Sequence, residues 1–206
     1  MFSLVLVSLL NLSMGAINAL IAQYGYLAIL VLMLLEAAAF PVPSEVVLPA
    51  VGYLAAQGTV NPLIAFSAVI IGGIIGMGVD YYIAYFLGKD VVYKHLSFFR
   101  ISKERLDTFD EWFAVNGGFA VFITRLIPLV RALINFPAGF ANMPVKKFFL
   151  YSIAGTLIWD VLLIGFGYYA LSLSSFPIVV AAIFVFALVL YLIYYFAMKR
   201  IGRRRR

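Results

Sequence analysis

Long apolar runs dominate this sequence and decide the solvent in which the chain can fold. Residues 61–88, 145–170 and 177–198 each reach the ~20 apolar residues that an α-helix needs to cross a bilayer, and residues 17–35 form a fourth candidate. Across the chain, 65% of the residues are apolar and 12% are charged, against about 45–50% and about 25% in soluble domains. The sequence therefore predicts an integral membrane protein that has the lipid bilayer as its main partner.

Residue types that are rare or missing exclude several kinds of chemistry. The sequence has no cysteine and a single histidine, His95, in its most polar internal stretch. Disulfides, thiolate metal sites and thiol nucleophiles are excluded, and a Ser-His-Asp triad in the membrane lacks its central residue. We expect no metal, no cofactor and no enzymatic activity. The basic tail 199–206 follows an apolar run, which is typical of a cytoplasmic anchor and not of a nucleic-acid partner.

Prolines interrupt two other apolar segments, 37–57 and 119–143. Because proline removes a backbone donor and kinks a helix, neither segment is expected to form a straight spanning helix. Each is predicted to form a re-entrant hairpin, which a membrane tolerates where the broken backbone is buried in protein or lines a wet cavity. The residues expected to form the hairpins are Pro41, Pro43, Pro49 and Gly52 in the first and Pro128, Pro137 and Gly139 in the second.

The order of these segments predicts an all-α polytopic membrane protein with a single membrane domain, built as an inverted repeat. The basic tail 199–206 and the charged loop 89–117 are placed in the cytoplasm because lysine and arginine mark cytoplasmic segments. The two hairpins then enter from opposite faces of the membrane. The predicted parts are an interfacial segment 1–16, a first repeat 17–88 (a helix, the hairpin 37–57 and the span 61–88), a cytoplasmic amphipathic loop 89–117, a second repeat 118–170 (the hairpin 119–143 and the span 145–170), a C-terminal span 177–198 and the tail 199–206.

Six ionisable residues lie inside apolar segments, where each costs about 2.5–3.5 kcal/mol at a helix centre. We expect them either to form a functional site or to pair with one another and hold the helices together. Two arginines cannot pair separately with four carboxylates, and an unpaired carboxyl in a low dielectric takes up a proton, so the acids are candidates for proton coupling or gating. The six are Glu36, Glu45, Asp80, Arg125, Arg131 and Asp160.

Arg125 and Arg131 are the candidate substrate-binding residues. They lie six residues apart with Pro128 midway, and a bend at the proline lets both guanidinium groups point to one spot. The planar fork of donors on arginine binds phosphate oxygens in pairs. A phosphate group is therefore the predicted ligand.

The motifs of both hairpins resemble those of one known family. The stretch 40–52 reads Phe-Pro-Val-Pro-Ser-Glu-Val-Val-Leu-Pro-Ala-Val-Gly, and Arg125-x-x-Pro128-x-x-Arg131 is followed by Pro137-Ala-Gly139. These motifs resemble those of the DedA (VTT-domain) family of membrane proteins, whose eukaryotic relatives are lipid scramblases, and the resemblance covers roughly residues 20–170.

The resemblance implies roles for four of the intramembrane charges. It implies that Glu36 and Glu45 correspond to the family's essential acids and that Arg125 and Arg131 correspond to its essential arginines. It also implies an inner-membrane transporter with two opposed hairpins, linked to membrane potential and to the return of polyprenyl-phosphate carrier lipid.

We expect a flippase or scramblase that moves a phosphate-bearing lipid, such as undecaprenyl phosphate or a phospholipid, across the cytoplasmic membrane. The alternative is a proton-coupled transporter of a small soluble solute that supports membrane potential and pH homeostasis. A structural or assembly factor is a third hypothesis, and an intramembrane enzyme is the weakest, because the candidate nucleophiles Ser44 and Thr124 have no histidine nearby. The lipid, the direction of transport and the oligomeric state stay open, with a homo-oligomer among the alternatives.

Overall fold

The protein is a set of packed α-helices in a computed structural model that describes residues 15–94, 103–128 and 130–169. The predicted span 177–198, the basic tail 199–206 and residues 1–14 of the predicted interfacial segment lie outside the described residues. The described part of the chain contains helices and turns and no β-strand, so the all-α prediction is confirmed there. The helices are α1 (15–24), α2 (Tyr26–Ala37), α3 (Ser44–Ala56), α4 (Pro62–Lys94), α5 (Lys103–Arg125), α6 (Asn135–Phe140) and α7 (Val145–Tyr169).

Two of these helices are long and apolar enough to cross a membrane. They are Pro62–Gly88 within α4, with 27 residues, and α7, with 25. Both present large apolar side chains outward, including Ile75 and Phe86 on α4 and Leu150 and Phe166 on α7. Surface of this kind is rare on soluble monomers and suits contact with lipid tails.

The boundaries of α4 follow from local chemistry. The Asn61 side chain accepts hydrogen bonds from the backbone N–H groups of Leu63 and Ile64, at 3.0 and 3.2 Å, so it caps the helix. Pro62 occupies the first helical position, where its missing N–H costs nothing. Gly88 adopts φ 67°, which kinks the helix at the end of the apolar run.

The prediction of one continuous helix over residues 17–35 is wrong. Gly25 has φ 59° and separates α1 from α2, because a left-handed residue cannot continue a right-handed helix. The 12 residues of α2 extend about 18 Å, well short of the ~30 Å hydrocarbon thickness.

The first predicted hairpin has its break where the sequence places it, but its arms differ. A turn over residues 38–43 contains Pro41 and Pro43 and separates α2 from α3. Pro49, expected to help form the hairpin, instead lies inside α3, whose 13 residues are otherwise regular. The segment 37–57 therefore contains the end of α2, a turn and the helix α3.

The boundaries of the second predicted hairpin also differ from those in the structure. Helix α5 runs without a break through the expected boundary at residue 118, because the apolar residues that follow continue the helix as far as Arg125. Turns at residues 126–128 and 130–134 follow α5, and Pro128 in the first of these stretches is buried. Pro137 is the third residue of the short helix α6, a position in the first turn that tolerates a missing N–H.

The helices pair across the two halves of the chain. Helix α2 packs on α4, and α5 packs on α7; helix α3 of the first half packs on α7 of the second, while α6 of the second packs on α4 of the first. Gly167 of α7 lies against the backbone of Pro49 in α3, and Gly139 of α6 lies against the backbone of α4. This cross-packing brings the turn 38–43 and the turn residues 130–134 that precede α6 to one place.

Candidate functional site

Arg131 joins the two halves of the protein at the turn between α5 and α6. Its Nε lies 3.0 Å from Oε1 of Glu36, and its Nη2 donates to Oε2 of Glu36 at 3.3 Å, so one edge of the guanidinium is bound by one carboxylate. Nη2 also lies 3.7 Å from Oδ1 of Asp160, beyond hydrogen-bonding distance. All three side chains are buried, with Asp160 fully so. Residues 95 positions apart in the sequence thus form one ion pair.

Arg125 lies behind Arg131 and is bound by neutral oxygens. Its Nη1 donates to the backbone carbonyl of Arg131 at 3.0 Å, and its Nη2 donates to Oδ1 of Asn135 at 2.5 Å and to Oγ of Ser152 at 3.1 Å. The side chain is buried, with its guanidinium carbon 5.9 Å from the centre of the Phe148 ring. Arg125 therefore holds the backbone that positions Arg131.

Asn135 connects this network to the first half of the chain. Its Nδ2 donates to the carbonyl of Ala37 at 3.0 Å and to Oδ2 of Asp80 at 3.2 Å, while its Oδ1 accepts from Arg125. One fully buried amide therefore links α2, α4, α5 and α6. Asp80 reaches an arginine only through this amide, among the described residues.

A cavity of about 310 Å³ opens beside the Arg131–Glu36 pair. Its acidic and basic lining is Glu36, Glu45 and Arg131, and turn residues from both halves complete it. Glu45 is buried, and no described residue forms an ion pair with it. Phe40 and Leu133 also line the cavity while remaining more than half exposed, at 59% and 53%. The cavity thus combines a charged interior with apolar residues open to the surroundings.

The predicted site residues divide into three groups in the structure. Glu36, Glu45 and Arg131 line the cavity, together with Pro41 and Pro43. Behind it, Asp160 contacts Arg131, while Arg125 and Asp80 join through Asn135. The remaining hairpin residues shape the backbone: Pro49 and Gly52 lie on the α3 face against α7, Pro128 lies in the second turn, and Pro137 and Gly139 lie in α6.

Sequence reasoning missed the neutral residues of the network. Asn135 makes three hydrogen bonds to other helices, and its signal was an amide within the apolar stretch 119–143. Trp159, beside Asp160 on α7, was also missed; its ring centre lies 5.9 Å from the guanidinium carbon of Arg131. In the part of the chain that the structure describes, no group of three or more His, Cys, Asp or Glu side chains could hold a metal ion.

Comparison with known sequences assigns the family. The profile of the VTT domain matches residues 42–169, a range that begins within the first cavity turn and contains five of the six intramembrane charges, all but Glu36. The chain belongs to the VTT-domain, or DedA, family. The DedA resemblance seen in the hairpin motifs is therefore confirmed, and so is the assignment to a family of membrane proteins.

Several relatives in the VTT-domain family align with most of this chain. Undecaprenyl phosphate transporter A of Staphylococcus aureus is 33% identical over 199 residues, which cover 92% of this chain and 97% of the relative. Protein DedA of Escherichia coli is 30% identical over 159 residues, covering 73% and 72%. An alkaline phosphatase-like protein of Lactococcus lactis subsp. lactis is 31% identical over 150 residues, covering 70% of each. No solved structure matches the chain significantly.

Proposed function

We propose that this VTT-domain protein is a transporter that moves a phosphate-bearing lipid, such as a polyprenyl phosphate or a phospholipid, across the cytoplasmic membrane. The observation that carries the proposal is Arg131, a buried guanidinium that lines a cavity between the two turns. A guanidinium binds two phosphate oxygens at once. The attraction between the two charged groups is stronger in a buried site, where the dielectric constant is low. The relative named undecaprenyl phosphate transporter A supports the same substrate class.

The surroundings of the cavity favour a lipid over a soluble solute. A lipid head group must enter while its chains stay in the bilayer, so its site needs an apolar side opening. Phe40 and Leu133 supply exposed apolar surface at the cavity, whereas a solute site would be closed off from lipid. In this proposal Arg131 binds the phosphate and Arg125 holds the turn that presents Arg131.

We propose that the carboxylates couple this transport to protons or gate it. Glu36 and Glu45 lie on the cavity, Asp160 lies next to Arg131, and Asp80 lies at the far end of the Asn135 network. With two arginines among four acids in this cluster, a change in protonation changes which ion pairs can form.

The pairing of helices supports an inverted-repeat architecture for the transporter. Exchanging α2, α3 and α4 for α5, α6 and α7 reproduces each of the main contacts, since α2–α4 becomes α5–α7 and α3–α7 becomes α6–α4. We propose that the two turns belong to re-entrant hairpins of opposite orientation in a multi-pass protein with a cytoplasmic C-terminus.

The test is transport of an isotopically labelled polyprenyl phosphate in sealed proteoliposomes, with wild-type protein and the Arg131→Ala variant, and with and without a pH gradient. We expect movement that requires Arg131 and responds to the gradient. Release of inorganic phosphate is measured in the same vesicles, because one relative carries a phosphatase-like name. Transport that persists in Arg131→Ala, or phosphate release by the wild type, would contradict the proposal.

A further inference from the structure

Glu36 occupies the edge of Arg131 that a phosphate would need. The Nε and Nη2 atoms of Arg131 form the fork that binds two oxygens side by side, and both contact the Glu36 carboxylate, at 3.0 and 3.3 Å. Carboxylate and phosphate use the same fork geometry. A phosphate cannot bind there in the same way while Glu36 remains in place.

The second two-donor edge of the guanidinium, formed by Nη1 and Nη2, is closed off by burial and by a second carboxylate. The Nη1 atom is buried and donates no hydrogen bond to a described residue, but it is the only nitrogen of Arg131 left without a carboxylate beside it. On its other side, Nη2 faces Asp160 at 3.7 Å. Binding through Nη1 alone would place the phosphate beside two carboxylates, which is electrostatically unfavourable.

We infer that the phosphate head group binds by displacing Glu36 from Arg131 and that the displaced Glu36 takes up a proton. This inference rests on the proposed function, and it identifies how the same site is regulated. A buried carboxylate that loses its cationic partner is strongly disfavoured if it stays charged. Protonation removes that cost, so the site exchanges one carboxylate charge for one phosphate charge.

No second cation in the described part of the chain can receive the displaced Glu36. The groups that face it are Arg131 and Arg125 on the second half, Asp160 on α7, and Ser44 and Glu45 on α3. Both terminal nitrogens of Arg125 are already bound by the Arg131 carbonyl, Asn135 and Ser152, and its Nε, which has no hydrogen-bond partner among the described residues, is buried away from the cavity lining. The other charged neighbours are carboxylates, so a proton is the partner that remains.

The exchange is balanced in charge and in atoms. One monoanionic phosphate enters, one proton from the aqueous phase forms an O–H bond on Glu36, and no covalent bond of the lipid breaks. When the phosphate leaves, Glu36 gives up the proton and binds Arg131 again. If the lipid leaves on the opposite side of the membrane, one proton crosses with it, and the net charge of the buried site stays constant.

The experiment measures proton uptake on binding of farnesyl phosphate to the purified, detergent-solubilised protein. Calorimetric titrations in buffers of different ionisation enthalpy count the protons taken up, and the comparison between variants cancels the protonation of the ligand itself. We expect the wild type to take up about one proton more than Glu36→Gln near neutral pH. The affinity of the wild type, corrected for ligand ionisation, should fall about tenfold per pH unit, the slope that one proton imposes, while Glu36→Gln stays flat.

Controls separate this inference from the proposed function. Glu111→Gln, at an exposed carboxylate, should behave as the wild type, and Arg131→Ala should lose binding. Should Glu36→Gln fail to fold, Glu36→Asp is the second variant. Its shorter side chain pairs less well with Arg131, so it should bind farnesyl phosphate more tightly than the wild type and still take up the proton. Arg131-dependent binding with equal proton uptake in wild type and Glu36→Gln would overturn the inference alone. Binding that is absent, or independent of Arg131, would overturn the proposed function as well.

Discussion

Two glycines of α7, Gly165 and Gly167, provide a matched test of the packing that forms the site. A methyl group added at Gly167 would lie 2.6 Å from both the carbonyl carbon and the Cα of Pro49, and closer still to its carbonyl oxygen. A methyl group at Gly165 would meet nothing within 4 Å. The same glycine-to-alanine substitution therefore meets a tight backbone contact at residue 167 and open space at residue 165.

The size of the effect follows from the backbone contact. Ordinary van der Waals contact begins near 3.4 Å, so α3 and α7 must separate by at least about 0.8 Å to admit Gly167→Ala. Backbone cannot rotate away as a side chain can, and overpacking of this kind costs about 1–3 kcal/mol. Gly165→Ala should be neutral or stabilising by up to about 1 kcal/mol, because alanine favours the helix. Since α3 carries Glu45 and α7 carries Asp160, separation also distorts the cavity.

The assay is thermal unfolding of the purified variants in one detergent, together with lipid transport in vesicles. We expect Gly167→Ala to melt about 2–12 °C below the wild type and to lose transport, taking ~2–4 °C per kcal/mol for a chain of this length. Gly165→Ala should melt at or above the wild-type temperature with full transport. Equal melting temperatures for the two variants would refute the described contact between α3 and α7.

Three further substitutions test the site itself. Asn135→Leu removes three buried hydrogen bonds and should destabilise the protein by about 3 kcal/mol or more, measured by thermal unfolding; a melting temperature within error of the wild type would contradict the network. Tyr81→Phe removes the hydrogen bond that Tyr81 Oη donates to the Met143 carbonyl and should cost about 1 kcal/mol with transport retained, so a loss of transport would argue for a functional hydroxyl. Arg131→Lys keeps the charge without the fork and should bind farnesyl phosphate at least roughly tenfold more weakly in calorimetric titrations; wild-type affinity would argue against paired phosphate contacts.

The charged residues of the site were predictable because the membrane makes each of them costly. Glu36, Arg131 and Asp160 stand out in apolar segments, and a charge that cannot reach water must find a partner. The break at Pro41 and Pro43 was predictable for the same kind of reason, since proline cannot donate within a helix. These features depend on single residues and their solvent.

Other features of the fold and the site depend on tertiary contacts, which cannot be read from the sequence. Nothing in residues 44–56 distinguishes Pro49 inside a helix from Pro49 at a break, because the outcome is set by packing on α7. Asn135 carries no charge, so its cost in an apolar segment is small and its role appears only once its partners are placed. The division between Arg131 on the cavity and Arg125 behind it follows from the turn geometry, which spacing leaves open.

The ion pair between Glu36 and Arg131 has a genetic consequence, because each half of the chain contributes one member. A polypeptide that stops after residue 94 keeps the acid and lacks the base, and a fragment that begins at residue 103 has the reverse defect. Two such fragments produced in one cell should therefore complement each other, whereas either alone should be degraded. A harmful mutation in one half is then expected to be suppressed by a compensating mutation in the other half. Natural selection therefore acts on the two halves together.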